Sequence, residues 1–342
     1  MLQKILVTGG AGYVGSILVP KLLDLKYSVR VLDRFFFGSE TLNTSLNHPQ
    51  IEIIKADIRN IGKKEIRGVD AVIHLASISN DPTCEIDQDA TKSINYEGTL
   101  RLAKLSKAAG VKRFIFSSSC SVYGSIDEIG LTEESHLEPV SLYATTKMLS
   151  EKAMLKLSDR RFAVTILRNA TIYGVSPRMR FDLVVNLMTL SAFKKRQIYI
   201  LGGGLQWRPN VHVEDVAAAF ITVMGASTDK IEGQIFNVGS SEQNHQIIQI
   251  AKMVKNVIPD TTIEIIPSDP DKRNYNVNCD KIKKVLNYQT KKNIMDGIVE
   301  IYAGLKNGII NDDLKTKTLE YYKYLIDANK ILKEVSLKGK IF

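Results

Sequence analysis

The chain has 342 residues, of which 44% are hydrophobic and 24% are charged. These proportions are typical of a soluble globular protein and exclude a disordered chain. At about 150 residues per domain, the length predicts two domains, or one large domain with an appended lobe. Lys+Arg 46 against Asp+Glu 37 gives a net charge of +9, which favours an anionic partner: nucleic acid, a membrane surface or a phosphorylated metabolite.

The start of the chain and its cysteines give no sign of export. The first four residues lead directly into an apolar strand, without the long apolar segment and cleavage site of a signal peptide. No run of about 18 apolar residues is present, so we expect no membrane span. Three cysteines (Cys84, Cys120 and Cys279) are widely spaced and share no metal-ligand spacing with the histidines. We therefore expect a reducing, cytoplasmic location, no disulfide framework and no metal.

Short β-rich apolar runs alternate with helical patterns through the first half of the chain. This alternation indicates βαβ units and a parallel sheet whose strands are buried on both faces. The predicted strands are 5–8, 28–32, 51–55, 71–75, 113–117 and 163–167.

After about residue 174, prolines and glycines separate shorter elements, which favours a smaller second lobe. We predict a first domain over 1–174, joined by about 210–238, and a lobe over 175–209 and 239–310. Within the joining segment, 213–225 is predicted to be a helix that returns to the first domain. A C-terminal helical extension is predicted over 311–342. Its lysines alternate with acidic residues, which favours a solvated face over a basic binding tail.

A glycine-rich loop joins the first strand to the first helix. Gly9, Gly12 and Gly15 allow a tight turn and a close approach of the backbone to a pyrophosphate at a helix N-terminus. Asp33 ends the next strand, where a carboxylate binds the adenosine ribose hydroxyls and repels a 2′-phosphate. The pattern predicts dinucleotide binding and favours NAD over NADP, although Arg34 would suit a phosphate.

Tyr143 and Lys147 are four residues apart, so they share one face of a predicted helix. A tyrosine whose pKa is lowered by a nearby lysine and a positively charged nicotinamide can act as a general base near neutral pH. This spacing is common by chance. It gains weight because a serine-rich segment, residues 117–121, ends an earlier strand and can present a hydroxyl to the same substrate oxygen.

Taken in order, these three features resemble the extended short-chain dehydrogenase/reductases, specifically the NAD-dependent nucleotide-sugar epimerase/dehydratase family. Segments 74–77, 95–99, 167–174 and 208–216 also match, so the resemblance covers nearly the whole chain. It implies an α/β fold with a Rossmann-type doubly wound parallel sheet that binds NAD, and a smaller mixed α/β lobe that binds the substrate. It further implies a nucleoside-diphosphate sugar as substrate and a homodimer.

The resemblance implies catalytic roles for Ser119, Tyr143 and Lys147. Ser119 and Tyr143 would hold the sugar 4-oxygen, and Tyr143 would remove the 4-hydroxyl proton as hydride passes from C4 to NAD. Lys147 would also bind the nicotinamide ribose. The implied cofactor contacts are Gly9, Gly12, Tyr13, Val14, Gly15, Asp33, Arg34, Asp57, Ile58, Leu75, Ala76, Ser77, Ser117, Tyr143 and Lys147.

Substrate contacts are implied mainly by arginines, whose planar guanidinium suits a diphosphate. Arg208 and Arg273 match the family's diphosphate and nucleotide contacts, and Asn186 matches an asparagine that opens a lobe helix. The implied substrate contacts are Ser79, Asn80, Ser121, Thr171, Arg178, Arg180, Asn186, Arg208 and Arg273.

Two departures from the family pattern narrow the reaction. The 4,6-dehydratases carry an Asp-Glu pair where this chain has Cys120 and Ser121, so that reaction is disfavoured. Epimerases acting at C3 and C5 carry a cysteine at the position of Ser121. Cys120 lies one residue short, on the other side of an extended strand, and is predicted to be a small buried residue. Oxidation and reduction at C4 remain, most simply by a 4-epimerase.

Several alternatives stay open. A nucleotide-sugar 4-dehydrogenase or 4-reductase would use the same residues without epimerisation. A non-catalytic dinucleotide-binding regulator is disfavoured because Tyr143 and Lys147 are both present. Nucleic acid is not an expected partner, since no basic stripe with stacking aromatic residues is evident. Arg208 and Arg273 favour a diphosphate over an amino-acid or steroid substrate.

Overall fold

A computed structural model of the protein describes residues 3–267, 273–337 and 339–341. Over these residues, the largest element is a parallel sheet of seven strands in the order β10-β6-β5-β4-β1-β2-β3. Its strands are β1 (Lys4–Thr8), β2 (Ser28–Asp33), β3 (Ile51–Lys55), β4 (Ala71–His74), β5 (Arg113–Ser119), β6 (Ala163–Asn169) and β10 (Gln234–Val238). The six predicted strands are confirmed, and β10 is a seventh that the sequence pattern did not reveal.

The order of the strands reverses direction beside β1. The chain runs outward through β2 and β3 on one side and through β4, β5 and β6 on the other. In such a doubly wound sheet the loops after the central strands diverge and leave a crevice at the carboxyl edge. The glycine loop, the serine segment and the loop after β4 all lie at this edge.

Helices cover both faces of the sheet and build the lobe. Those of the first half are α1 (Gly15–Asp24), α2 (Lys63–Ile66), α3 (Asp81–Cys84), α4 (Gln88–Lys92), α5 (Thr99–Ala108) and α6 (Leu142–Leu155). The others are α7 (Val184–Lys195), α8 (Val213–Gly225), α9 (Thr228–Ile231), α10 (Ile247–Val257), α11 (Asp280–Leu286), α12 (Ile294–Lys306) and α13 (Thr318–Val335). The predicted helix 213–225 is confirmed as α8, which packs against α1. No described helix is long and apolar enough to cross a membrane.

The lobe contains two small sheets. One pairs β7 (Thr171–Tyr173) and β11 (Asn244–Gln246) with β9 (Trp207–His212), and the other pairs β8 (Gln197–Leu201) with β12 (Thr262–Ile266). Helices α7, α10 and α12 enclose a separate apolar cluster there. The predicted division near residues 174 and 239 stays a prediction. Helix α11 lies within the range predicted for the lobe, but it packs on β10 and buries Ile282 in the core of the first domain.

Candidate active site

The glycine loop lies at the carboxyl end of β1, where the backbone leaves no room for side chains. Gly9 has φ +71°, and a Cβ on it would lie 2.7 Å from the backbone nitrogen of Ala76. A Cβ on Gly15 would lie 2.5 Å from the carbonyl oxygens of both Gly9 and Gly10. Helix α1 begins at Gly15, and within the described chain no side chain caps its first turn. Its N-terminus is therefore suited to an anionic ligand.

Asp33 presents its carboxylate beside this loop. Oδ2 accepts a hydrogen bond from Ala11 N at 3.0 Å, and Oδ1 accepts one from Phe35 N at 2.8 Å. Burial raises the pKa of Asp33, and these backbone N–H groups oppose that shift. The carboxylate is thus held in one orientation at the cavity wall, where a ribose diol would find an acceptor.

Arg34 is turned away from Asp33 and pairs with Asp57. Its Nη1 lies 2.6 Å from Asp57 Oδ2, and Arg59 Nη2 lies 2.7 Å from the same oxygen. Hydrogen bonds from Arg59 hold the pKa of Asp57 well below its ordinary value. The positive charge of Arg34 is therefore partly neutralised, which removes much of its attraction for a 2′-phosphate.

One cavity brings the predicted site residues together. All fifteen predicted cofactor residues line it, and so do Ser119 and seven of the nine predicted substrate residues. Those seven are Ser79, Asn80, Ser121, Thr171, Arg178, Arg180 and Arg273. The glycine loop, the open helix end and the fixed Asp33 carboxylate fit the pyrophosphate and ribose of NAD.

Ser119, Tyr143 and Lys147 form the chemical centre of this cavity. Ser119 ends β5, Tyr143 lies in the first turn of α6, and Ser141 caps that helix through Ala144 N. Lys147 Nζ donates to the carbonyl oxygen of Ser117 at 2.8 Å and lies 5.7 Å from the centre of the Tyr143 ring. Burial lowers the pKa of Lys147 to about 8. The expected hydroxyl, phenol and ammonium are thus assembled as predicted.

The predicted lowering of the Tyr143 pKa depends on a positively charged nicotinamide, and the chain by itself shows a shift in the opposite direction. Burial raises the pKa of Tyr143 above its ordinary value, and the neighbouring Cys84 and Asp81 raise it further. Arg180 and a hydrogen bond with Ser119 lower it, but they do not outweigh burial. Burial disfavours the charged phenolate more strongly than Arg180 and Ser119 stabilise it. A positively charged cofactor ring is needed to stabilise the phenolate.

In the segment after β5, Cys120 lies in the interior and Ser121 lies at the cavity wall. Cys120 is buried and absent from the cavity wall, and its Sγ donates to the carbonyl oxygen of Arg168. Ser121 lines the cavity, and its Oγ has no hydrogen-bond partner among the described residues. The prediction that Cys120 is a small buried residue is confirmed. Ser121 is left as an unsatisfied polar group that a ligand can bind.

Arg178 and Arg180 occupy different parts of the cavity. The guanidinium of Arg178 lies 3.7 Å above the ring of Phe37, on the side of Asp33. Arg180 pairs with Asp182 at 2.5 Å and donates to Ser79 Oγ at 3.2 Å. Its charge reaches Tyr143, so Arg180 lies on the side of the reaction centre.

Asn186 and Arg208 are not among the described residues that line the cavity, so the structure does not bring these two predicted substrate contacts together with the other seven. Asn186 is completely buried, where it donates to Tyr13 Oη and accepts from Gly174 N. The guanidinium of Arg208 donates to the carbonyl oxygen of Arg273 at 2.6 Å. These hydrogen bonds let Asn186 support Tyr13 and Arg208 support Arg273, both of which line the cavity.

Several further residues line the cavity, among them Asn169, Asp81, Thr318 and Tyr322. Asn169 ends β6 beside the serine segment, and its Oδ1 has no partner among the described residues. Asp81 accepts from Arg273 Nη1 at 2.5 Å and from the hydroxyl of Ser141, which links the lobe to the N-terminus of α6. Thr318 and Tyr322 come from α13. The sequence gave a signal for Asp81, which follows the predicted contacts Ser79 and Asn80, and for Asn169 at a strand end, but none for Thr318 or Tyr322.

Comparisons with known proteins agree with this geometry. Residues 5–239 match the model of the NAD dependent epimerase/dehydratase family. The chain is 31% identical to UDP-glucuronic acid decarboxylase 1 of Arabidopsis thaliana, over 91% of this chain and 71% of the relative. It is 27% identical to a putative UDP-glucose 4-epimerase of Methanocaldococcus jannaschii, over 89% and 98% of the two chains.

A solved structure shares the fold across most of the chain. It is the UDP-glucuronic acid 4-epimerase of Bacillus cereus in complex with UDP-glucuronic acid and NAD. The two are 26% identical with a TM-score of 0.77, over 89% of this chain and 99% of the other. With its Rossmann-type sheet, glycine loop and Ser119–Tyr143–Lys147 centre, the chain belongs to the NAD-dependent epimerase/dehydratase family of nucleotide-sugar enzymes.

Proposed function

We propose that the protein catalyses NAD-dependent epimerisation at C4 of a nucleoside-diphosphate sugar, through a 4-keto sugar. The observation that carries this proposal is the arrangement after β5. Ser119 and Ser121 line the cavity together with Tyr143, whereas Cys120 lies in the interior. The hydroxyl groups of these three residues can accept a proton from a substrate hydroxyl group and return it. Positions 120 and 121 hold no carboxyl group that could drive loss of water.

Proton transfer is assigned to Tyr143. Its phenol and the Ser119 hydroxyl line the same cavity, and Ser119 is close enough to lower the pKa of Tyr143, so both can hold one sugar oxygen. Tyr143 takes the proton of the 4-hydroxyl and later returns it to the 4-keto oxygen. Lys147 stabilises the phenolate by its charge and orients the cofactor ribose. A bound NAD would supply the hydride acceptor and donor for C4, and return of the hydride to the opposite face would yield the epimer.

The diphosphate is assigned to arginines on the lobe side of the cavity. Arg273 and Arg180 both line the cavity, and each is paired with a carboxylate, Asp81 or Asp182. Guanidinium has five N–H donors, so one carboxylate does not exhaust it. These carboxylates hold the two guanidinium groups in place, and the remaining N–H donors of each arginine can bind a substrate phosphate.

A uronate substrate opens a second candidate function. Oxidation at C4 places a ketone β to a C6 carboxylate, and β-keto acids lose CO2 readily. The 31% identity to a UDP-glucuronic acid decarboxylase favours testing this outcome. The same Ser119–Tyr143 pair would serve both reactions, because they share the first oxidation. They diverge only in whether the ketone is reduced before the carboxylate leaves.

The deciding experiment uses UDP-sugars labelled with deuterium at C4. Purified protein is incubated with 4-deuterio UDP-glucose or UDP-glucuronic acid, and the products are followed by NMR. A 4-epimerase yields the C4 epimer with deuterium retained at C4 and no accumulation of NADH. Release of deuterated NADH in stoichiometric amounts would identify a 4-dehydrogenase instead. Release of CO2 with a pentose product would identify the decarboxylase.

A panel of GDP-, CDP- and dTDP-sugars tests the substrate class by thermal shift. Stabilisation by any nucleotide sugar supports the proposal, since ligands that bind only the folded state raise its melting temperature. If none of the panel, including both UDP-sugars, stabilises the protein or is converted, the nucleotide-sugar assignment is wrong.

A further inference from the structure

The adenosine side of the cavity is closed by two segments that are far apart in the sequence. Phe35, Phe36 and Phe37 follow directly after Asp33 and Arg34 at the end of β2. Thr318 and Tyr322 are four residues apart in the first turns of α13. All five side chains line the same cavity as the glycine loop.

Aromatic contacts join these two segments. The ring of Tyr322 lies 5.6 Å from that of Phe36 in an edge-to-face arrangement and 5.5 Å from that of Phe37. The ring of Tyr321 lies 5.3 Å from that of Phe37. Ring pairs at these separations stabilise an association beyond the apolar area that they bury. Helix α13 is therefore fastened to the loop that carries the predicted adenosine contacts.

A polar bridge fastens the same helix to the substrate lobe. Thr318 is buried, accepts a hydrogen bond from Arg178 Nη2 at 2.9 Å and donates one to Asp182 Oδ1 at 3.2 Å. The guanidinium of Arg178 also covers the Phe37 ring. Outside the cavity, Lys315 Nζ lies 2.6 Å from Glu40 Oε1. The start of α13 thus spans the cavity from the loop after β2 to the lobe.

The hydroxyl of Tyr322 lies within the electrostatic reach of Asp33 and Arg178. Burial raises the pKa of Tyr322 to about 12, with Arg178 lowering it and Asp33 raising it. The phenol is therefore protonated at neutral pH and can donate a hydrogen bond near the ribose-binding carboxylate. A side chain of the C-terminal extension thus adds polar chemistry to the adenosine end as well as bulk.

We propose that the first two turns of α13 form the outer wall of the NAD site, where Tyr322 and Thr318 close the adenosine side over Phe37 and slow cofactor release. This role is independent of which reaction occurs at the sugar. It suits a 4-epimerase because the reduced cofactor must stay bound between the two hydride transfers. Slow release would be of less use to a dehydrogenase, which must exchange its cofactor each turnover.

The experiment measures release of NADH from the whole protein. Bound NADH is displaced by excess NAD in a stopped-flow instrument, and its fluorescence is followed. We expect at least tenfold faster release from Tyr322→Ala and from Phe37→Ala. Tyr322→Phe should release NADH within about threefold of wild type because it keeps the ring. Tyr324→Ala is the matched control, since Tyr324 lies on the same helix, is 55% exposed and does not line the cavity.

Thermal melting of each variant separates a cofactor wall from a merely structural helix. Unchanged release from Tyr322→Ala overturns the proposal, whether or not its melting temperature falls. If Tyr322→Ala fails to fold, Thr318→Val decides, because it keeps the volume but breaks the bridge from Arg178 to Asp182. At least threefold faster release from Thr318→Val supports the proposal, and wild-type release overturns it. Failure of the sugar reaction leaves these release rates unaffected, so the two proposals are tested separately.

Discussion

The guanidinium of Arg34 lies 2.6 Å from the carboxylate of Asp57, at the edge of the cavity where β2 and β3 end. Arg34 directly follows Asp33 in the sequence, yet it pairs with a residue in the loop after β3. This ion pair partly neutralises a cation near the adenosine ribose site. Cofactor choice therefore depends on Asp57 as well as on Asp33.

Asp57→Asn should shift cofactor preference toward NADPH. Without the carboxylate, Arg34 and Arg59 are both freed to attract a 2′-phosphate, and a charge-assisted contact of this kind changes affinity by about tenfold. The ratio of the Kd values for NADPH and NADH, measured by fluorescence titration, should fall by that factor. Glu52→Gln is the control, since Glu52 pairs with Lys4 and Arg30 away from the cavity. An unchanged ratio in Asp57→Asn would contradict this account.

Tyr143→Phe should abolish turnover while leaving cofactor binding intact. The substitution removes the proton acceptor but keeps the ring beside Lys147, and we expect kcat to fall by about 10³-fold or more. Ser119→Ala should reduce kcat by a smaller factor, about 10–100-fold, because Tyr143 still holds the substrate oxygen. Turnover and NADH titration are measured on the same preparations. Wild-type turnover in Tyr143→Phe would refute its role.

Lys147→Met should stabilise the protein below pH 8 while removing activity. The pKa of Lys147 falls from 10.5 in the unfolded chain to about 8 in the folded protein, so burying the ammonium opposes folding at neutral pH. That cost is on the order of 3 kcal/mol, of which the lost bond to Ser117 offsets about 1 kcal/mol. We expect a net gain of about 1–2 kcal/mol in the free energy of unfolding.

The pH dependence of this gain follows from proton linkage. Between pH 8 and 10.5 the unfolded chain binds the proton that folded Lys147 has lost, so wild-type stability rises with pH relative to the variant. The advantage of Lys147→Met should therefore shrink across that window. Urea unfolding at several pH values measures it. Lys152→Met, an exposed position on the same helix, is the control. A constant difference from pH 7 to 10.5 would speak against a depressed pKa.

His74→Gln should reduce the loss of stability at mildly acid pH. His74 is buried between Thr8 Oγ1 at 2.6 Å and Thr99 Oγ1 at 2.8 Å, and burial lowers its pKa from 6.5 to about 3. As pH falls below 6.5, His74 binds a proton in the unfolded chain but not in the folded chain, so the free energy of unfolding decreases. The maximal slope is about 1.4 kcal/mol per pH unit.

The slope of unfolding free energy between pH 6.5 and 4.5 measures this effect. It should be shallower in His74→Gln than in wild type, because the amide can bridge the two threonines without titrating. A residual slope should remain because burial also lowers the pKa of His245. His136→Gln, at a highly exposed position, should retain the wild-type slope. Equal slopes in His74→Gln and wild type would show that His74 is not the acid-sensitive group.

The sequence by itself determined the elements whose signals are local. Most of the six strands were recognisable because buried parallel strands are continuous apolar runs, and α8 because its pattern keeps the helical period. The expected burial on both faces does not hold for β3, which lies at the edge of the sheet and has no buried residue. The cofactor loop, Asp33 and the Tyr143–Lys147 pair were recognisable because their chemistry demands fixed spacings. The buried state of Cys120 was predicted from the alternation of side chains along an extended strand, but β5 ends at Ser119 and Cys120 begins a short 3-10 helix that buries it.

Only the tertiary structure decided which polar side chains face the cavity. Asn186 and Arg208 carry the residue types expected of ligand contacts, but their hydrogen-bond partners lie in distant segments and turn them into internal supports. Arg34 is paired with Asp57, which follows a different strand, and burial raises the pKa of Tyr143 in the chain by itself. Tyr322 lines the same cavity as Asp33 although it lies nearly 290 residues further along the chain. The partners of a polar side chain, the desolvation of a titratable group and the residues that close a cavity all depend on which segments lie close together in space. The spacing of residues along the chain does not encode that proximity.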